Sequence, residues 1–110
     1  MTDRDLLELA AKAAGYTLEE HFDVHGNYWP WCVELDDYWC PLTDDGDALW
    51  LAVKLKLRVH IREIEVSVDI YEDGAWQNQV VVGVSWNADS YAATRRAIVR
   101  AAAEIGRNMK

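Results

Sequence analysis

The chain has little of what marks secreted, membrane-spanning or multidomain proteins. It contains two cysteines and two prolines in 110 residues, and it shows no internal repeat and no low-complexity linker. Cys32 and Cys40 are too few for a disulfide framework, and reduced thiols are the default in a cytoplasm. No apolar run approaches the roughly 20 residues that a membrane-spanning helix needs. We therefore expect one domain, residues 1–110, with a hydrophobic core of its own.

Positive charge is also scarce. Eleven lysines and arginines stand against 19 acidic residues, which gives a net charge of −8. This balance argues against binding to nucleic acid or to an anionic membrane, and it leaves open a basic protein partner or mimicry of the charge of DNA. Asp3, Asp5 and Glu8 interrupt any hydrophobic region that a signal peptide would need, so we expect a cytoplasmic protein.

The clearest local signal is the stretch WCPLTDDGDALWLAVKL at residues 39–55. Thr43 is a suitable N-cap, three aspartates place negative charge in the first turn, and Lys54 places positive charge in the last. This predicts a helix over residues 44–55, with Leu49, Ala52 and Val53 on its buried side.

Two further helices bracket the chain. Thr2 with Asp5 resembles a capping box and Gly15 supplies a stop, which predicts a helix over 3–14. A last helix is predicted over 91–108. The expected buried stripes are Leu6, Leu9, Ala10, Ala13 and Ala14 in the first, and Tyr91, Thr94, Ile98, Ala101, Ala102, Ile105 and Met109 in the last.

The region between residues 57 and 70 predicts a β-hairpin, because its apolar alternation changes phase after Glu63. With Glu63 and Ile64 at the tip, the expected pairs are Arg58 with Asp69, His60 with Ser67, Arg62 with Glu65, Val59 with Val68, and Ile61 with Val66. Short strands are also expected at 17–24 and 31–35, the second at a sheet edge because of Pro30. A turn at 72–74 leads to a central strand predicted over 79–86, and a capping cluster follows at 87–90.

The expected order is helix, two strands, helix, three strands, helix. Because the helices must cover a sheet with two apolar faces, the predicted class is α+β, a three-layer α/β/α sandwich-like domain with a mainly antiparallel sheet.

Three groups of residues have the types needed for chemistry, and each has a simpler structural interpretation that we favour. His21, His25, Cys32 and Cys40 are zinc ligand types, but true sites usually pair cysteines two to four residues apart. Asp36, Asp37, Asp44, Asp45 and Asp47 could bind a divalent cation, or serve as helix N-terminal acids beside a solvated loop. His60, Ser67 and Asp69 have the residue types of a hydrolytic triad, without a visible oxyanion hole. We therefore predict no catalytic residue, no metal site and no cofactor.

A fourth group combines aromatic and acidic residues between positions 28 and 45. Aromatic side chains are the usual anchors of protein interfaces, although the same rings could instead belong to the core. The candidate partner-binding residues are Tyr28, Trp29, Trp31, Asp36, Asp37, Tyr38, Trp39, Asp44 and Asp45.

Several stretches of the chain resemble the phage ABA-sandwich domain family. They are DLLELAAKAAG at 5–15, WCPLTDDGDAL at 39–49, LAVKL at 51–55 and AATRRAIVRAAAE at 92–104. The aromatic-rich segment 21–37 and Cys40 depart from the family's pattern. The resemblance implies an α/β/α protein of tailed phages or prophages in the cytoplasm of a bacterial host, and it carries over no catalytic residue.

Together these features predict a non-catalytic phage accessory protein, a monomer or weak homodimer. It would bind a host or phage protein with a basic surface and inhibit a component of host antiviral defence. The alternatives are a small metal- or nucleotide-binding enzyme domain that uses the Asp-rich helix start, and a minor structural protein of the virion.

Overall fold

Within residues 2–72, 74–83 and 89–109, which this computed structural model describes, three helices and six strands form an α+β fold. In chain order the elements are α1 (Asp3–Ala14), β1 (Leu18–Phe22), β2 (Tyr28–Cys32), β3 (Asp37–Tyr38), α2 (Asp45–Lys54), β4 (Arg58–Ile61), β5 (Glu65–Glu72), β6 (Ala75–Gly83) and α3 (Ser90–Asn108). The predicted class and order of elements are confirmed, with the two-residue strand β3 as an addition. No helix among these residues is both long and apolar enough to cross a membrane.

The strands form two separate three-stranded antiparallel sheets, β1-β2-β3 and β4-β5-β6. Helix α3 packs on β5 and β6 and also contacts α1 and α2. A single hydrophobic core runs through these elements, from Leu6 and Ala10 in α1 to Val66 and Val68 in β5 and Val99 in α3.

The predicted hairpin register is confirmed. Arg58 lies opposite Asp69, Val59 opposite Val68, His60 opposite Ser67 and Ile61 opposite Val66. At the tip, the Arg62 N–H donates to the Glu65 carbonyl at 2.9 Å. Charge pairing on one face and β-branched pairing on the other were enough to determine this register.

The prediction that the strand over 79–86 is central in its sheet was wrong. β5 lies in the middle of its sheet and β6 at the edge, where Val80 is buried but Val81 is exposed. β6 begins at Ala75, directly after Gly74, whose φ of +79° suits the tight turn. The predicted continuation to Trp86 lies outside the described residues. Of the predicted capping cluster, Asp89 is the N-cap of α3 and accepts from the Tyr91 N–H at 2.9 Å.

The prediction of an edge strand at 31–35 was also wrong, because β2 is the central strand of its sheet and ends at Cys32. Pro30 is tolerated there for a geometric reason. The N–H and C=O of one residue in an antiparallel strand point to the same neighbour. The Pro30 carbonyl accepts from Trp39 N–H at 2.9 Å, just beyond β3, so the missing N–H removes no bond to β1.

The caps of α1 agree with the sequence prediction, and the N-cap of α2 does not. Thr2 and Asp5 form the expected capping box of α1, and Gly15 closes that helix with a φ of +78°. In α2 the N-cap is Asp44, not the predicted Thr43, and its carboxylate accepts from the Asp47 N–H at 2.9 Å.

The buried sides of the helices differ from the predicted stripes. In α2 the buried residues are Ala48, Leu51 and Ala52, while Leu49 and Val53 are 63% and 64% exposed. In α3 small residues dominate the buried side, and the predicted Tyr91 and Met109 are exposed. Leu49, Trp50 and Val53 of α2 therefore lie at the surface, and Trp50 lines a pocket with Asp37 and Tyr38.

Candidate functional site

The sheet β1-β2-β3 has one face in the core and one face in solvent. Strand alternation sends Leu18, Pro30 and Cys32 inward, and Cys32 is fully buried. The opposite face carries His21, Trp29, Trp31 and Tyr38, which we call the aromatic face. Trp29 is 47% and Tyr38 49% exposed. Two of these four rings, Trp29 and Tyr38, are therefore displayed to solvent, with His21 and Trp31 partly covered beside them.

The rings of the aromatic face hold one another in place. The His21 ring stacks on Trp31 with the centroids 5.6 Å apart, and Tyr38 stands perpendicular to Trp31 at 5.1 Å. Trp29 meets Tyr38 edge-on at 6.3 Å. Edge-to-face and stacked geometries of this kind are the favourable ones for aromatic pairs. These contacts hold the four rings in one arrangement.

Asp23, in the turn between β1 and β2, fixes the outermost ring. Its carboxylate accepts from the Trp29 Nε1–H at 3.1 Å and from the backbone N–H groups of His25 at 2.8 Å and Asn27 at 2.9 Å. These hydrogen bonds, the Asn27 N–H first, lower the pKa of Asp23 to about 2. Sequence reasoning missed this residue, although an aspartate two residues before the turn His25-Gly26-Asn27 was a usable signal.

Negative charge lies beside the aromatic face. Asp36 and Asp37 are both exposed, and the Asp37 carboxylate accepts from the Tyr38 N–H at 2.7 Å. Asp36 has a φ of +52°, a left-handed conformation that aspartate tolerates better than most residues. Trp29, Trp31 and Tyr38 thus share the aromatic face, and Asp36 and Asp37 precede Tyr38 at the edge of the sheet, with Asp37 paired to Cys32.

The other four predicted residues lie elsewhere. Tyr28 is on the inward face of β2, with the Arg4 guanidinium 4.9 Å from its ring centre. Trp39 is 2% exposed and packs edge-on against Tyr16 at 5.5 Å. Asp44 caps α2, and Asp45 pairs with Arg95 at 2.6 Å.

The aspartates at the start of α2 each make a hydrogen bond or ion pair within the fold. Besides the cap and the ion pair, Asp47 accepts from the Cys40 N–H at 2.9 Å. Burial raises the pKa of the Asp47 carboxyl, partly opposed by that hydrogen bond. Within the described residues, no group of three or more His, Cys, Asp and Glu side chains could hold a metal ion. His21 and Cys32, two of the candidate zinc ligands, sit on opposite faces of their sheet.

The residues with triad chemistry form an ion-pair network instead. His60 Nε2 lies 2.9 Å from an Asp69 oxygen that also accepts from Arg58, while the Ser67 hydroxyl accepts from Arg62 at 2.9 Å. Ser67 and His60 are cross-strand neighbours, but the hydroxyl is engaged by arginine and not by the imidazole. This arrangement neutralises a buried carboxylate and does not activate a nucleophile.

Searches against protein-family models, curated proteins and solved structures found no match for this chain.

Proposed function

We propose that the protein acts by binding another protein through the aromatic face, together with Asp36 and Asp37. It works stoichiometrically and carries out no reaction of its own. The observation that carries the proposal is a set of mutually packed rings, half exposed on one face of a sheet, beside two exposed carboxylates.

Exposure and rigidity are the physical support for this proposal. A large half-exposed indole costs solvation free energy unless something covers it, and exposed clusters of large apolar side chains mark interaction sites. Rigid aromatic anchors lose little conformational entropy on binding, so they contribute more affinity per residue than flexible side chains. Trp29 meets both conditions, because it is exposed and its indole N–H is held by Asp23.

The charge of the molecule defines the partner. A net charge of −8, with Asp36 and Asp37 next to the rings, suits a partner whose own surface is basic. The resemblance to the phage ABA-sandwich family supports the biological setting that we propose. That setting is a phage or prophage accessory protein in a bacterial cytoplasm, with a component of host antiviral defence as its target.

The test compares two tryptophans of similar exposure on different sheets. Trp29 is 47% exposed on the aromatic face, and Trp76 is 43% exposed on β6. The tagged parent, Trp29→Ala and Trp76→Ala are used to capture proteins from a bacterial lysate. The protein that the parent retains is then purified and titrated against all three by calorimetry.

We expect a one-to-one complex, with Trp29→Ala weakening binding by about 2 kcal/mol, or roughly 30-fold, as for a central interface anchor. Trp76→Ala should bind like the parent, and both variants should keep the parent's thermal unfolding midpoint to within a few degrees. Equal affinity of Trp29→Ala and the parent would contradict the proposal, as would loss of binding in Trp76→Ala alone.

A further inference from the structure

A pocket of about 320 Å³ adjoins the aromatic face, between β3 and α2. Tyr38 forms its border with the aromatic face, and Trp50 of α2 forms the far side. Four aromatic rings and two carboxylates line it: Tyr16, Tyr38, Trp39, Trp50, Asp37 and Asp47. Its volume is at the small end of the range for ligand pockets, which suits one long side chain better than a whole metabolite.

Of the aromatic rings that line the pocket, Trp39 at its base is buried and Trp50 at its side is exposed. Trp39 is 2% exposed and is held by its edge-on contact with Tyr16, so the base cannot rearrange easily. Trp50 is 74% exposed, an unusual state for the largest apolar side chain. An occupant of the pocket would cover part of the exposed Trp50 ring.

One of the lining rings, Tyr16, is already in contact with a cation of the protein, although Lys54 itself does not line the pocket. The Lys54 ammonium lies 4.8 Å from the centre of the Tyr16 ring, which is within the range of a cation–π contact. Lys54 belongs to the last turn of α2, one turn after Trp50. The contact shows that the Tyr16 ring accepts a cation.

The two carboxylates add negative charge to the lining. Asp37 and Asp47 each use one oxygen for a backbone N–H, from Tyr38 and Cys40 respectively. In the part of the chain that the structure describes, no hydrogen bond is made by the other oxygen of either group. Burial first, and then the negative charges of Asp44 and Asp37, raise the pKa of Asp47. A cation in the pocket would relieve this repulsion.

We propose that this pocket receives an arginine side chain of the partner protein. The planar guanidinium can stack on the exposed Trp50 ring while its N–H groups reach the free oxygens of Asp37 and Asp47. Lysine offers a point charge without the flat face or the forked donors, so it fits the same walls less well. The inference rests on the proposed function, because it names the partner group that the binding surface recognises.

The experiment uses three blocked tripeptides that differ in the central residue: acetyl-Ala-Arg-Ala-amide, its lysine analogue and its citrulline analogue. Citrulline keeps the shape of arginine and removes the charge. Each peptide is titrated into the ¹⁵N-labelled protein, and the indole N–H signals of the six tryptophans are followed by NMR. We expect the arginine peptide to shift the Trp50 and Trp39 signals at millimolar concentration. The lysine peptide should bind more weakly, and the citrulline peptide should leave both signals in place.

Substitutions then assign the effect to the pocket. Trp50→Ala should weaken the arginine peptide by about fivefold, the loss of one cation–π contact. Asp37→Asn and Asp47→Asn, which keep an acceptor for the backbone N–H groups, should weaken it as well. Trp76→Ala is the matched control and should bind like the parent. Shifts of equal size with citrulline, tighter binding of lysine, or unchanged affinity in Trp50→Ala would each overturn the proposal.

The purified partner separates this proposal from the proposed function. If Trp29→Ala and Trp50→Ala both weaken the partner, both proposals hold. If Trp29→Ala weakens it and Trp50→Ala does not, the arginine pocket is overturned while the aromatic face stands. If the arginine peptide binds at Trp50 but neither substitution affects the partner, the aromatic face is overturned as the partner surface, and so is the pocket's role in it.

Discussion

In the sheet β4-β5-β6, the buried Asp69 holds two basic side chains. It is 6% exposed, yet its carboxylate accepts from Arg58 at 3.0 and 2.9 Å and lies 2.9 Å from His60 Nε2. Burial alone would raise the pKa of Asp69, but the hydrogen bonds and charges of Arg58 and His60 outweigh it, and the net shift is downward. The ionised form is therefore favoured by folding.

We predict that Asp69→Asn lowers the free energy of unfolding at pH 7 by about 2 kcal/mol, because hydrogen bonds to a charged group are lost. Since the folded pKa lies below the unfolded value of about 3.9, the contribution is fully present above that pH and disappears as the pH falls through the folded pKa. Denaturant unfolding at pH 7 and at steps below pH 4 should show the parent and variant converging. Glu104→Gln, which removes a more exposed partner of Arg107, should change stability by less than about 0.5 kcal/mol. A gap that widens in acid would contradict this account.

At the scale of elements, the contact between α1 and α3 depends on small residues. Ala10 and Ala14 of α1 and Ala102 of α3 are buried, and Gly106 lets the helices approach closely. A Cβ built on Gly106 would lie 1.9 Å from the Leu9 carbonyl oxygen, and backbone cannot move aside as a flexible side chain can.

We predict that Gly106→Ala destabilises the protein by about 1–3 kcal/mol through overpacking. Helix propensity alone would have the opposite sign, since alanine is favoured over glycine in a helix by about 1 kcal/mol. Gly83→Ala is the control, because nothing lies within 4 Å of a Cβ at that position. Thermal and denaturant unfolding give the free energy of unfolding of both variants. A Gly106→Ala variant more stable than the parent would contradict close packing of α1 against α3.

The same scale explains which parts of the fold could be predicted. The hairpin register was determined locally, because charges pair on one face while β-branched residues pair on the other. Capping residues of α1 were equally local. The buried side of α2 was not determined by the local sequence, because Leu49 and Val53 are as apolar as Leu51 and Ala52. Only the packing of α3 against α2 decides which side is covered.

The candidate site was predictable in composition but not in arrangement. Rings near the end of β2 were expected, yet which of them face solvent depends on the pairing of β2 with both neighbours and on the short strand β3. Trp39 lies one residue beyond β3 and turns into the core, whereas Tyr38 turns outward. Trp50 was expected beside the buried stripe, and the rotation of α2 placed it on the surface.

For the whole molecule, the described Cα atoms have a radius of gyration of 13.9 Å, close to the ~13 Å expected of a domain of this length.

The weak homodimer expected from the sequence stays a prediction. Such a dimer could use the charged face of the β4–β5 hairpin, but those charges are already paired within the chain. Arg58 and His60 pair with Asp69, and Arg62 pairs with Glu65, so they add little to self-association. Under the proposed function, the net charge would therefore act mainly on the encounter with the partner.

The last prediction concerns the rate of association. If Asp36 and Asp37 steer a basic partner, removing their charges should slow association at low salt and flatten its dependence on ionic strength, with little effect on dissociation. Asparagine is the better substitution, because Asp36 has a φ of +52° and asparagine tolerates that conformation where lysine would be strained.

The variant Asp36→Asn/Asp37→Asn removes two negative charges, from −8 to −6. Glu63→Gln/Glu72→Gln makes the same change on the other sheet, in the tip between β4 and β5 and at the end of β5. Stopped-flow association of the purified partner at several salt concentrations compares the two. A decrease of about threefold or more in the first variant only would place steering at the aromatic face. Equal decreases in both would mean that net charge alone governs the encounter, and the local role of Asp36 and Asp37 would be wrong.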